Sequence, residues 1–187
     1  MANTWFYSDP HFDHDNIIKY CNRPFVSVDE MNSSLLHEYH KRVKSGDTVY
    51  FLGDMTFGRG SRGTRYWLNQ LQQQTMGPDI HFHYIKGSHD NSVRPTSTNI
   101  PVVEVVTEKV IDVEGEQFLL IHDPAQVDPS WKGWVVHGHV HNYRPVLWAK
   151  NRINVSCDAI GFRPVAINYI VGLIKETKQS KGVRGCR

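Results

Sequence analysis

Apolar residues arrive along this chain in short continuous runs, and run after run stops at a polar cluster. Thr4-Trp5-Phe6-Tyr7-Ser8 reads as a strand that Asp9-Pro10 ends, which leaves His11 to Asp15 in a loop. Thr48-Val49-Tyr50-Phe51-Leu52 is the unbroken kind of run that suits a strand covered on both faces, and Gly53-Asp54 follows it. After a break at Gly77-Pro78, Ile80 to Lys86 predicts a third strand ending in Gly87-Ser88-His89-Asp90. Lys109 to Val113 and Gln117 to Ile121 flank Glu114-Gly115-Glu116, a hairpin signal, and the second of these runs into His122-Asp123-Pro124. Trp134-Val135-Val136 leads to His137-Gly138-His139-Val140-His141, and Arg152 to Cys157 is a further strand.

Helical spacing punctuates these runs. Ser27-Val28-Asp29-Glu30 has capping-box order, and Met31, Leu35, Tyr39 and Val43 then recur on one face until Gly46. A short helix over Ile17 to Cys21, with Asp15 or Asn16 as its cap, and another around Tyr66, Trp67, Leu68 and Leu71 complete the first half. Ile167, Ile170, Val171 and Ile174 have helical spacing, but their β-branching makes a strand an equal competitor. The polar end from Lys175 to Arg187 reads as a frayed tail, so the expected domain spans 1–174.

The 187 residues suit one domain that buries about 70% of its unfolded surface. No apolar run approaches the roughly 18 to 20 residues of a membrane span. Lys and Arg number 21 against 19 Asp and Glu, so a broad electrostatic grip on nucleic acid is not expected. Cys21, Cys157 and Cys186 lack C-x-x-C spacing, which points away from a disulfide framework or a thiolate site and toward a reducing, cytoplasmic setting. The opening Met1-Ala2-Asn3-Thr4-Trp5 has no secretory pattern. Histidine stands out at eleven residues.

Polar groups at the carboxyl ends of strands converge in layered α/β proteins, and here those ends carry Asp9 and His11, Asp54, His89 and Asp90, His122, and His139 and His141. In Asp9-Pro10-His11 and His139-Val140-His141 the paired residues are two apart, so an extended chain would aim both side chains one way. Nitrogen and oxygen donors without thiolate suit Mn, Fe, Ni, Co or Zn better than Ca or Mg.

In order, Ser8-Asp9-Pro10-His11, Leu52-Gly53-Asp54, Gly87-Ser88-His89-Asp90, Leu120-Ile121-His122-Asp123 and Gly138-His139-Val140-His141 resemble the five motifs of the calcineurin-like metallophosphoesterases, compact bacterial or phage members above all. The resemblance covers about residues 4 to 170. It implies a four-layer αββα sandwich of two mixed sheets with flanking helices. It also implies two divalent transition-metal ions, manganese first among them. Asp9, His11 and His141 would hold one ion, His122 and His139 the other, and Asp54 would bridge them. The third motif departs from the family pattern, with Ser88 where the family has an Asn ligand, which weakens the second position. His89 resembles the family's general acid. The phosphatase branch supplies that histidine with a carboxylate partner from a longer second motif, where this chain has Phe57, so Asp90 or a backbone carbonyl is expected to orient it instead; Asp90 could equally be a helix cap.

The implied activity is hydrolysis of small phosphoesters, phosphodiesters that are nucleotide-derived or cyclic in particular. His14, Arg23 and Arg59 are candidates for binding the substrate, although a surface loop or cap position explains each as simply. Two rivals stand beside this reading. One is a nuclease of the same family, disfavoured by the near-neutral charge. The other is a non-catalytic protein-binding scaffold, as in the retromer subunit of this fold, which the Ser88 departure allows.

Overall fold

The apolar runs become strands of two sheets. The computed structural model describes residues 2–57, 61–73, 80–90, 93, 102–149 and 151–184. In chain order the strands are β1 (Thr4–Tyr7), β2 (Thr48–Phe51), β3 (His81–Ile85), β4 (Val102–Val106), β5 (Glu108–Val113), β6 (Glu116–Ile121), β7 (Trp134–His137), β8 (Leu147–Trp148), β9 (Arg152–Asn154) and β10 (Val165–Ala166). The helices are α1 (Asp15–Tyr20), α2 (Val28–Arg42), α3 (Thr64–Gln73) and α4 (Ile167–Arg184).

One sheet has the order β10-β1-β2-β3-β4 and the other β5-β6-β7-β9-β8. Strands β1 to β4 are parallel and β10 closes their edge antiparallel. In the second sheet β6, β7 and β9 are parallel, flanked by antiparallel β5 and β8. With helices flanking, this is the α/β sandwich of two mixed sheets that the motif resemblance implies.

Alternation decides what each strand buries. Phe118, Leu120, Trp134 and Val136 join Phe6, Phe51, Phe82 and Tyr84 in one core shared by both sheets. Leu119, Ile121 and Val135 face the other way and meet Val127 and Trp131 in a small second cluster. Ser27 caps α2 by accepting the Glu30 amide at 3.2 Å, while the Glu30 carboxylate takes the Val26 amide at 2.7 Å. Met31, Leu35 and Tyr39 are the buried face of that helix.

Two helices, α4 and α1, settle or depart from the sequence reading. The contested stretch from Ile167 is helical, because α4 lays Ile170 and Ile174 into the shared core at helical spacing. That helix also runs on past Lys175 to Arg184, where the polar composition suggests a tail; Lys175 pairs with Glu114 at 3.0 Å and Lys178 with Glu116 across the β5–β6 turn. His14 occupies the cap position of α1 without a side-chain capping bond, in place of Asp15 or Asn16.

Candidate metal centre

The parallel ends of both sheets meet at one edge, and backbone bonds fasten the motif loops there. The Asp9 amide donates to the Gly53 carbonyl (3.0 Å) and the His11 amide to the Asp54 carbonyl (3.2 Å), which locks the first loop to the second. Gly138 donates to His122 (3.0 Å), joining the fourth to the fifth, and Cys157 donates to Ser8 (2.9 Å), joining the sheets. Two glycines permit the approach: a Cβ on Gly87 would lie 2.2 Å from Asp54 Oδ1, and one on Gly138 would lie 2.4 Å from Asp9 Oδ2.

The side chains then converge. Asp54 Oδ2 lies 3.3 Å from His122 Nε2, 3.6 Å from His11 Nε2 and 3.8 Å from His89 Nε2. Donor atoms of Asp9, His11 and His141 form one group within 4.8 Å of one another, and those of Asp54, His122 and His139 form a second. His139 Nδ1 is 3.3 Å from His122 Nε2 and 3.4 Å from Ser88 Oγ, so Ser88 sits at the second group. The expected extended pairs are not extended. Asp9, His11, Asp54, His139 and His141 all have left-handed backbones, with φ of 58°, 49°, 56°, 70° and 46°. Such conformations cost about 1–3 kcal/mol each outside glycine and gather where geometry serves function.

His11 tests whether these residues fit a cation. Its side chain is buried and neither ring nitrogen has a hydrogen-bond partner. Burial pulls its pKa down to about 3 against the pull of Asp9 and Asp54, leaving a neutral ring with a lone pair between two carboxylates. A divalent ion satisfies that arrangement, whereas an orphaned polar ring is otherwise a penalty. For Asp54, burial is the largest influence and favours protonation, but the bond and charge of His122, with the His89 amide, overcome it and hold the carboxyl well below its usual range. For His122, burial again opposes charge, yet Asp54, Asp9 and the Leu52 carbonyl raise the ring to about 9. A cage that favours a proton this strongly favours a cation in the same place, with proton release.

No family model matches the chain. The uncharacterized protein MJ1445 of Methanocaldococcus jannaschii is 34% identical over 185 residues, which span 95% of this chain and 94% of that one. The chain belongs to the family of that archaeal protein. The Gene 66 protein of Mycobacterium phage L5 is 25% identical over 214 residues, covering 98% of this chain and 99% of the phage protein. Among solved structures, the protein of unknown function AQ665 from Aquifex aeolicus superposes with a TM-score of 0.69 at 23% identity, covering 92% of this chain and 100% of that one, and so shares the fold.

Two expectations about residues near the centre need correcting. Arg23 does not line the cleft: it is buried, and every guanidinium N–H is used inside the protein, on Asp158, on the Asp9 and Pro10 carbonyls and on Met31. Asp90 accepts the Asp54 amide (2.7 Å) and the Gly87 amide (2.8 Å), so its bonds clamp the second loop to the third and none reaches the His89 ring. The His89 ring instead rests on Phe57 with centroids 4.1 Å apart, and its backbone amide donates to Asp54 Oδ1 at 2.9 Å. His14 does reach the rim, 5.6 Å from the His11 ring and 4.8 Å from Phe57. Arg59 lies outside the described residues.

Sequence reasoning missed Asp158, whose Oδ2 is 2.7 Å from His141 Nδ1. It stands beyond the last motif in Ser156-Cys157-Asp158, and only its place just past a strand end hinted at it.

Proposed function

We propose that this protein is a cytoplasmic, dinuclear metal-dependent phosphoester hydrolase acting on small phosphodiesters, nucleotide-derived or cyclic ones in particular. One observation carries the reading: a single carboxylate oxygen, Asp54 Oδ2, is faced by imidazoles from the first, third and fourth motifs within 3.8 Å. The sandwich fold and the order of the five motifs support it. Asp9, His11 and His141 would hold one ion, His122 and His139 the other with Ser88 beside them, and Asp54 would serve both.

Electrostatics supports metal dependence. Asp9, Asp54 and Asp90 are buried at this edge, and carboxylates alone repel a phosphoester anion. Bound cations supply Lewis acidity and a water acidic enough to lose its proton near neutral pH. The remaining work belongs to the chain. The left-handed loops fix the ligands before substrate arrives, and the Asp90 clamp keeps the Asp54 and Gly87 turns in register. His89, with 35% of its side chain exposed, points Nε2 toward the same edge without being enclosed by it. It would give its proton to the departing oxygen as the P–O bond breaks and water replaces the leaving group.

The test is hydrolysis of a model aryl phosphodiester by metal-free protein reloaded with Mn, Co or Zn. Turnover that follows loading and disappears on chelation is expected. A protein that binds two ions yet cleaves neither a model diester nor a model monoester would point to the scaffold reading.

A further inference from the structure

The polar cluster behind His141 touches no reacting group and stands against the shared core, to which Met31 and Cys157 belong. The Asp158 side chain is 1% exposed and is gripped in a fork by Arg23, from Nε to Oδ1 at 2.8 Å and from Nη2 to Oδ2 at 2.9 Å. The same Oδ2 lies 2.7 Å from His141 Nδ1. Arg23 spends its other N–H groups on the Pro10 carbonyl (2.8 Å), the Asp9 carbonyl (2.9 Å) and Met31 Sδ (3.3 Å). Cys157 Sγ also donates to the Asp9 carbonyl (3.1 Å), and Asn154 Nδ2 donates to the His141 carbonyl (2.7 Å).

We propose that Asp158 and Arg23 are positioning residues for the cation at Asp9, His11 and His141, Asp158 fixing His141 with Nδ1 protonated and Nε2 free to ligate, Arg23 fixing Asp158 and the Asp9-Pro10 backbone together. The inference rests on the metal-binding reading of that triad. Its physical content is threefold. A carboxylate on Nδ1 settles the tautomer, so the lone pair is on the nitrogen facing the centre, and it raises the basicity of that nitrogen. The bonds of Arg23 fall on the backbone of Asp9, a left-handed residue followed two positions later by another, and that conformation needs external support. Because the guanidinium fork occupies both oxygens of Asp158, that carboxylate is committed to bracing. The neighbouring Cys21 thiol, whose Sγ shares a 4.8 Å cluster with His141 and Asp158, meets a carboxylate already held by Arg23 and His141.

The test is calorimetric titration of metal-free protein with Zn, comparing the unsubstituted chain with Asp158→Asn and Asp158→Glu, alongside the thermal midpoint of each metal-free form. Asp158→Asn is expected to weaken one of two binding events about 10- to 100-fold and leave the other within about threefold, with partial recovery in Asp158→Glu, which keeps a charge opposite Arg23. In the Zn-loaded unsubstituted protein, the ¹⁵N spectrum of the histidines should show His141 as the Nδ1–H tautomer. A folded Asp158→Asn protein with both affinities unchanged overturns the proposal. Should neither variant fold, an Nε2–H tautomer at His141 overturns it and an Nδ1–H tautomer upholds it. An unsubstituted protein that binds no Zn overturns the metal reading itself, which is a different failure.

Discussion

The two halves of the centre are built to different standards. On the Asp9, His11 and His141 side, Asp9 and His11 are buried, all three backbones are left-handed, and the Asp158–Arg23 pair stands behind. On the other side His122 is comparably fixed, with Nδ1 2.6 Å from the Leu52 carbonyl, but His139 and Ser88 are exposed and meet only at 3.4 Å. Rigidity at a metal site comes from what the ligands lean on, and one side leans on a buried ion pair while the other opens to solvent. The account therefore expects unequal affinities, with the weaker ion beside Ser88.

Asp54→Ala removes the carboxylate common to both halves and has the largest expected effect. Both calorimetric binding events should vanish and turnover should fall to the level without added metal; retention of either event would separate the halves. His89→Ala ranks next, since the ring, although its donor atom lies within 4.8 Å of those of Asp54 and His11, is in neither group assigned to the ions. Metal content should stay as it is while turnover falls by about 10²- to 10⁴-fold, the range for a lost general acid. Ser88→Asn acts on the open side alone, lengthening the side chain and adding a carbonyl oxygen. Tightening of the weaker event by about tenfold is expected, equivalent to about 1.4 kcal/mol, with the stronger event unmoved.

The smallest effect belongs to a contact in neither half. Asp13 accepts from Arg62 Nη2 and Trp67 Nε1, each at 2.7 Å. Burial raises its carboxyl, but these bonds, the Arg62 ones foremost, outweigh it and leave the group below its ordinary value of 3.8. A carboxyl depressed in the folded state contributes stability that is complete above pH 3.8 and is lost as pH falls toward the folded value. Acid titration of Asp13→Asn, followed by circular dichroism, should lack that component below pH 3.8; identical acid limbs would contradict the assignment.

How much of this was legible in the sequence follows from how local each signal is. A continuous apolar run stopping at Gly-Asp or Gly-x-His-Asp marks a strand and its functional end within ten residues, and β1, β2, β3, β6 and β7 were readable in that way. The capping box of α2 and the Glu114-Gly115 turn are as local. The two-residue strand β10 is set by a partner far along the chain, Ala166 with Trp5, while β8 pairs nearby, Leu147 with Ile153; both are too short to carry a periodicity of their own. Among the site residues the same divide holds. The converging motif residues were legible because each lies at or just past a strand end. The Arg23–Asp158 brace spans 135 positions, so nothing beside Arg23 distinguishes a buried clamp from a cleft arginine. The left-handed backbones were hidden for a related reason, since loops paired to other loops, and not their own residue types, impose them.

Anomalous scattering from crystals equilibrated with manganese tests the central claim most directly. Two peaks are predicted, a stronger one among Asp9, His11 and His141 and a weaker one among His122, His139 and Ser88, both within reach of Asp54. Manganese found elsewhere on the surface, with no peak beside Asp54, would contradict the account.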